Sequence, residues 1–570
     1  MSKDIRAELE RLSQAKKLAQ ISRKLDLMEL ITVHLSDHSG DHMHGLFSAF
    51  VPSTKIEDRL AAIEWDLNTG RGVPGSVEYY ENGNPRVEYL RFGNDSGIEP
   101  LVIEREFHGI RPDYEEISEE FRLFHELYHD RKEDRYYKID DAGNEEVIAI
   151  VEPSSIRIRL KEIRQFMAVK EMHLAIYFQC VEYSSYELEE LGLKEGGHDQ
   201  RIDLLKWHFY YGDFRGGIDG KKTYSRLVGK RLIEPLPKEK SGFWGFAEQE
   251  PKRYGEFIVG VDKEGGEIVH SSDPSYLANN FGANPGEPDY LTAVHFRKQV
   301  LDKYYQKPGK YSVADSILRC AYLWSMTMDN HHEDRVVAWL GDLGRDLPYE
   351  EQLHWRSYNI APAGGPSETF IRRQLLAEFA KSERPEHRFP QCYEKLKDVC
   401  DKILGWQVLL PLMAEDAHHY RAIRIPSTDE QKDFDDLVQS LTKILIDSLN
   451  EKALNALIPP EQVTGIKGSI ARLEAVFGAL NVSDFEPRID FLRKLQNLRS
   501  SGAAHRKGGN YRKIADEFQV DSQNLRTVFA GILAKALDVL NFLIWAVESG
   551  ALAKIPSEPT SSESGSHSTG

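Results

Sequence analysis

The chain opens on apolar positions spaced three and four apart among charges, which predicts an amphipathic helix over residues 1–35. Beyond it the period shortens. "VEYYENGNPRVEY" holds two β-rich runs around Asn82 and Gly83 and predicts a hairpin. The acidic stretch from Tyr114 to Asp130 returns to helical spacing. Short strands follow at "RYYKID", "EEVIAIV" and "SIRIRL", separated by the turns "DDAGN" and "EPSS". A helix through "KEIRQFMAVKEM" and a strand at "HLAIYFQCVEY" complete an expected α+β domain over residues 36–245, which ends in the Pro- and Gly-rich "EPLPKEKSGFWG". Over residues 246–428, a hairpin at "GEFIVGVDKEGGEIVH" and two strands joined by a polar turn in "LWSMTMDNHHEDRVVAWLGDL" predict a second α+β domain. Strand-like runs then cease, and residues 429–550 read as an all-helical domain. The small, polar residues 551–570 read as a disordered tail. The expected class is α+β, with two mixed domains followed by a helical bundle.

A length of 570 residues exceeds what one core organises, and 41% hydrophobic with 29% charged residues fits folded domains. The net charge of -18 argues against a chain that coats a polyanion with its whole surface, so any such contact needs a local basic patch. Four cysteines without a C-x-x-C spacing signal neither a zinc knuckle nor a disulfide framework, and a reducing, cytoplasmic compartment is expected. The N-terminus lacks the continuous apolar core of a secretory signal. "ILGWQVLLPLM" and "VLNFLIWAV" are shorter than a bilayer span, so no membrane partner is expected.

Among strings that carry chemistry, "FRLFHELYHDR" contains H-E-x-x-H at His125, Glu126 and His129. On a helix, histidines four apart share one face and can hold zinc while the glutamate activates water. Charge follows at Asp130, Arg131 and Lys132, and a third ligand would have to be a residue such as Glu162. The competing reading has Phe121, Phe124 and Tyr128 packing one face, with the histidines at its margin. "VHLSDHSGDHMHG" offers His34, Asp37, His38, Asp41, His42 and His44, but Ser39 and Gly40 break helical spacing and predict a solvated loop. "DNHHEDR", with His331 and His332, and "EDAHHY", with His418 and His419, read as polar turns. "RGGIDGKKTY" misses a phosphate-binding loop at Arg215 and Lys222. The run of Lys221, Lys222, Arg226, Lys230 and Arg231 offers a secondary surface for a phosphate backbone.

The strongest local signal is "PRIDFLRKLQNLRSSGAAHRKGGNYRK". From Arg488 to Lys513 it holds five Arg, three Lys and one acid, Asp490, or about +7 in a chain of net charge -18. Phe491, Leu492, Leu495 and Leu498 fall at core spacing, which places Arg499 near the helix end, where Ser500, Ser501 and Gly502 let it stop. His505 follows.

An arginine followed at this distance by a histidine, in a helical C-terminal region of about 120 residues, resembles the HEPN family of helical nucleases and nucleotide-binding proteins. The resemblance implies metal-independent RNA cleavage without a cofactor, in a homodimer that joins two copies of the motif. Arg499 and His505 would be catalytic, and Arg493, Lys494, Arg506, Lys507, Arg512 and Lys513 would hold RNA. Family members that cut RNA often carry Asn, Asp or His after the arginine, where this chain has Ser500. The upstream region, through "WLGDLGRDLP" and "HWRSYNIAP", resembles large bacterial defence-type proteins. That implies a sensor of a phage or cellular trigger coupled to abortive infection. A non-catalytic HEPN-like module that binds RNA, a nucleotide or a partner as a scaffold is the alternative, and a zinc peptidase is the third reading.

Overall fold

The largely apolar run "MHLAIYFQCVEYS" forms the longest strand among the described residues, Met172–Ser184, with side chains packed on both faces. In the computed structural model, which describes residues 3–62, 73–94, 96–214, 220–248, 251–279, 281–502, 516–520 and 524–553, this strand lies within an 11-stranded sheet. It pairs antiparallel with His42–Pro52 on one side and Thr223–Ile233 on the other. Leu205–Asp213 and then Gly196–Ile202 extend the sheet beyond Thr223–Ile233. On the opposite side Leu30–His38, Ser155–Arg159, Glu145–Glu152, Arg135–Ile139 and Tyr128–Asp130 follow in that order. The helix Leu160–Lys170 buries Leu160, Ile163, Phe166 and Met167 in a core shared with Ile31, Val33, Phe50 and Leu174.

Two local expectations change. Helical spacing ends early at the N-terminus, where helices span Lys3–Ser13 and Ala15–Ser22 and the β-branched run from Leu30 joins the sheet. The stretch from Tyr114 to Asp130 is not one helix. It contains the strand Tyr114–Ile117, a short helix Glu119–Phe124 and the strand Tyr128–Asp130.

The fold is α+β and divides into two units, Met1–Asp140 with Asn144–Pro251, and Asp141–Gly143 with Lys252–Gly570. In the second unit, Glu256–Val261 and Glu267–Ser271 form the expected hairpin. Tyr311–Ala314, Ile317–Cys320 and Trp324–Thr327 form a three-stranded meander. Arg335–Trp339 belongs to a different sheet, beside Ala293–Arg297, and the polar turn before it is closed by an isolated antiparallel bridge between Asp329 and Val337.

The helices Pro385–Val399, Gln431–Thr442, Ser469–Ala479, Glu486–Gly502 and Leu525–Glu548 enclose a core that includes Phe389, Phe434, Leu473, Phe477, Leu492, Leu495, Phe529 and Leu540. This core draws in Phe389, Tyr393 and Leu396, upstream of the composition change at Asp429. Gln431–Thr442 runs on into a π-helical turn, Lys443–Asp447.

Candidate functional site

The zinc-peptidase string does not lie on a helix. The helix stops at Phe124, His125 is its C-terminal flank, and Glu126 adopts left-handed backbone with φ 53°. His129 then falls on a strand, so the two imidazoles share no helical face. His125 is buried against Phe121 and Phe124, and its Nε2 lies 2.9 Å from the Glu162 carbonyl oxygen. Burial lowers its pKa to about 4. His129 stacks on Tyr136 at 4.1 Å, with Nε2 2.7 Å from Asp134. The Glu162 carboxylate accepts two hydrogen bonds from Arg159, at 2.6 and 2.5 Å. The helix-borne zinc geometry is therefore not formed by these residues.

The histidine-rich stretch is a hairpin rather than a solvated loop. It gathers Asp37, His42 and His44 at one end of the Leu30–His38 and His42–Pro52 strands. The Lys17 ammonium contacts both His44 and Glu182, which puts a cation beside the cluster already. His44 Nε2 also lies 2.9 Å from Glu182. Among the basic run after Gly220, Lys230 is fully buried and donates to the Ala62 carbonyl at 3.0 Å, so the run is not one continuous surface.

In the helical region, Phe491, Leu492, Leu495 and Leu498 are buried as their spacing predicts, and Arg499 lies about one-third exposed near the end of Glu486–Gly502. Its Nη1 donates to Asp447 at 2.7 Å, at the close of the π-helical turn. Arg493 pairs with Glu474, Lys494 with Asp490 at 2.9 Å, and Arg488 with Asp538 at 2.8 Å. Arg488, Arg493 and Arg499 are thus met by acids distant in sequence, a pairing that local charge counting misses, whereas Asp490 lies on the same helix as Lys494. His505, Arg506, Lys507, Arg512 and Lys513 lie outside the described residues.

A third cluster arises where sequence reading expected only a polar turn. Asp315 sits between the strands Tyr311–Ala314 and Ile317–Cys320. His331 comes from the polar turn before Arg335–Trp339, and His387 from the first turn of Pro385–Val399. His331 Nε2 is 3.0 Å and His387 Nδ1 3.6 Å from Asp315 Oδ1. Arg373 donates from Nη1 to Oδ1 at 2.8 Å and from Nη2 to Oδ2 at 3.0 Å. Ser382 Oγ lies 2.8 Å from His387 Nδ1 and 3.3 Å from His331 Nδ1. Burial works to raise the Asp315 pKa, but its contacts with His331 and Arg373 outweigh it and hold the carboxyl below its usual range. Burial draws His387 down to about 4, leaving its ring neutral at ordinary pH. The three residues are far apart in sequence, so spacing carries no signal for them. Comparison with family models, curated proteins and solved structures finds no match to the chain.

Proposed function

We propose that the chain acts on RNA through its C-terminal helices, cutting it without a metal or cofactor as a homodimer. The observation that carries this reading is the placement of Arg499. It stands near the end of a helix, immediately before the residues that include His505, Arg506, Lys507, Arg512 and Lys513, and a partly exposed carboxylate holds it. Partly exposed ion pairs contribute roughly 0–1 kcal/mol, so an RNA phosphate can displace Asp447 at little cost.

In the reaction, His505 accepts the proton of a ribose 2′-hydroxyl as that oxygen attacks the adjacent phosphorus. The P–O5′ bond breaks, and the 5′-oxygen takes up the proton that His505 received, which returns the imidazole to its neutral form. A 2′,3′-cyclic phosphate remains. Arg499 stabilises charge on the phosphorane oxygens, as a planar bidentate donor does best. Arg493 and Lys494, released from their acids, hold the strand with a strong dependence on salt. The upstream region would sense a phage-borne or cellular trigger.

Purified full-length chain incubated with RNA in EDTA should cut it, and Arg499→Ala or His505→Ala should each slow cutting by about 10²–10³-fold. Unchanged cutting in both variants would overturn the site. Binding of RNA without cutting would favour the second reading, a non-catalytic RNA or nucleotide module, which the pairing of Arg493, Lys494 and Arg499 with carboxylates supports.

A further inference from the structure

We propose that Asp315, His331 and His387 form a binding site for a divalent transition-metal ion, zinc in the first instance, that ties the meander to the start of the helical bundle. Two imidazoles and one carboxylate form a nitrogen–oxygen set suited to zinc and its neighbours, whereas calcium and magnesium take oxygen ligands. One ligand atom from each residue lies within 4.8 Å of the other two. A tetrahedral ion with bonds of roughly 2.0–2.2 Å sets its ligand atoms roughly 3.3–3.6 Å apart. The two imidazole nitrogens stand 3.0 and 3.6 Å from Asp315 Oδ1, so each histidine–carboxylate distance is within a few tenths of an ångström of that spacing, and the two nitrogens lie within 4.8 Å of each other.

The surroundings orient the ligands. With the His331 Nδ1 proton directed at Ser382 Oγ, Nε2 turns its lone pair towards Asp315 Oδ1 at 3.0 Å. In the metal-free chain the Ser316 hydroxyl, 3.0 Å from the same Nε2, and the Ser382 hydroxyl, 2.8 Å from His387 Nδ1, can donate to these lone pairs, and an ion would displace both. Arg373 holds the same carboxylate and is itself anchored, through Nε, on the Ala380 carbonyl at 2.7 Å. Ligating carboxylates and imidazoles commonly carry such outer hydrogen bonds. Both imidazoles and Ser382 are buried, and Asp315 is mostly so, which fits an ion that staples segments rather than one that meets substrate. The rival arrangement puts a proton on His331 Nε2 and leaves a histidine–aspartate–arginine network with no metal.

The test uses full-length chain stripped with a chelator, then titrated with Zn²⁺ by calorimetry and with Co²⁺ by visible absorption. One ion per chain is expected, with the absorption of tetrahedral nitrogen–oxygen cobalt and a rise in unfolding temperature on adding zinc. His331→Ala and His387→Ala should abolish that site, and His332→Ala and His42→Ala should retain it. If the ligand variants fail to fold, the wild-type cobalt spectrum decides alone. Absence of the tetrahedral spectrum, or equal binding by wild type and folded ligand variants, would overturn the site.

Discussion

The His125 imidazole is enclosed by Phe121, Phe124 and the Glu162 carbonyl, and burial draws its pKa from the ordinary value to about 4. In an unfolded chain the same ring titrates near about 6.5. Between these values the unfolded state binds a proton that the folded state refuses. Stability contributed by this group is therefore present above about pH 6.5 and is lost as pH falls towards 4. At about 1.4 kcal/mol per unit, the loss amounts to about 3 kcal/mol. Urea unfolding of wild type between pH 7 and 4 should show a steeper decline than unfolding of His125→Gln. Parallel declines would remove His125 as the cause. The letters of H-E-x-x-H were plain in the sequence, but their geometry depended on Glu126 taking left-handed backbone, which no apolar period reports. Asp315, His331 and His387 pose the opposite difficulty, because only the packed fold brings them together.

Elements whose pattern answers to local pairing were legible. The hairpin Gly75–Glu81 with Asn84–Leu90 turns at Asn82 and Gly83, both at positive φ, and the Leu160–Lys170 helix followed by Met172–Ser184 lies where its periodicity places it. Elements set by distant partners were not. His42–Pro52 joins the sheet because it pairs with Met172–Ser184 along its whole length, and its histidines read only as polar letters in isolation. The short helix Leu340–Asp346 shows what such contacts demand. A methyl group at Gly344 would stand 1.8 Å from the Ser272 carbonyl oxygen, a backbone atom that cannot swing aside. Gly344→Ala must shift the helix, and overpacking of this kind costs about 1–3 kcal/mol. Gly478, inside Ser469–Ala479, has no such neighbour within 4 Å, so Gly478→Ala should stabilise by about 0.4–1 kcal/mol. Thermal unfolding of the two variants should therefore move in opposite directions, and a fall of equal size in both would refute the steric account.

At the scale of the chain, Leu525–Glu548 poses the largest choice. The apolar run "VLNFLIWAV" alone is shorter than a bilayer span, but its helix extends back to Leu525, and these 24 residues are long and apolar enough to cross one. Its two faces bear on that choice. Phe529, Ile532, Leu533, Ala536, Leu540, Leu543 and Val547 are buried in the core with Phe434, Phe477 and Leu492. Arg526, Lys535, Asp538, Asn541 and Glu548 fall on the exposed side. In a bilayer, Lys535 and Asp538 would stand near the middle of the span, where each charge costs roughly 2.5–3.5 kcal/mol. In the bundle they meet solvent or a partner, as Asp538 does with Arg488. The faces therefore support a core helix. Leu540→Ala should lower stability by about 2–5 kcal/mol in detergent-free buffer, through lost burial and the cavity left behind. Trp545→Ala, on the exposed side, should change it by no more than about 0.5 kcal/mol. If both substitutions are neutral there, and Trp545→Ala instead weakens association with phospholipid vesicles, the helix does its work in a membrane and the bundle does not depend on it.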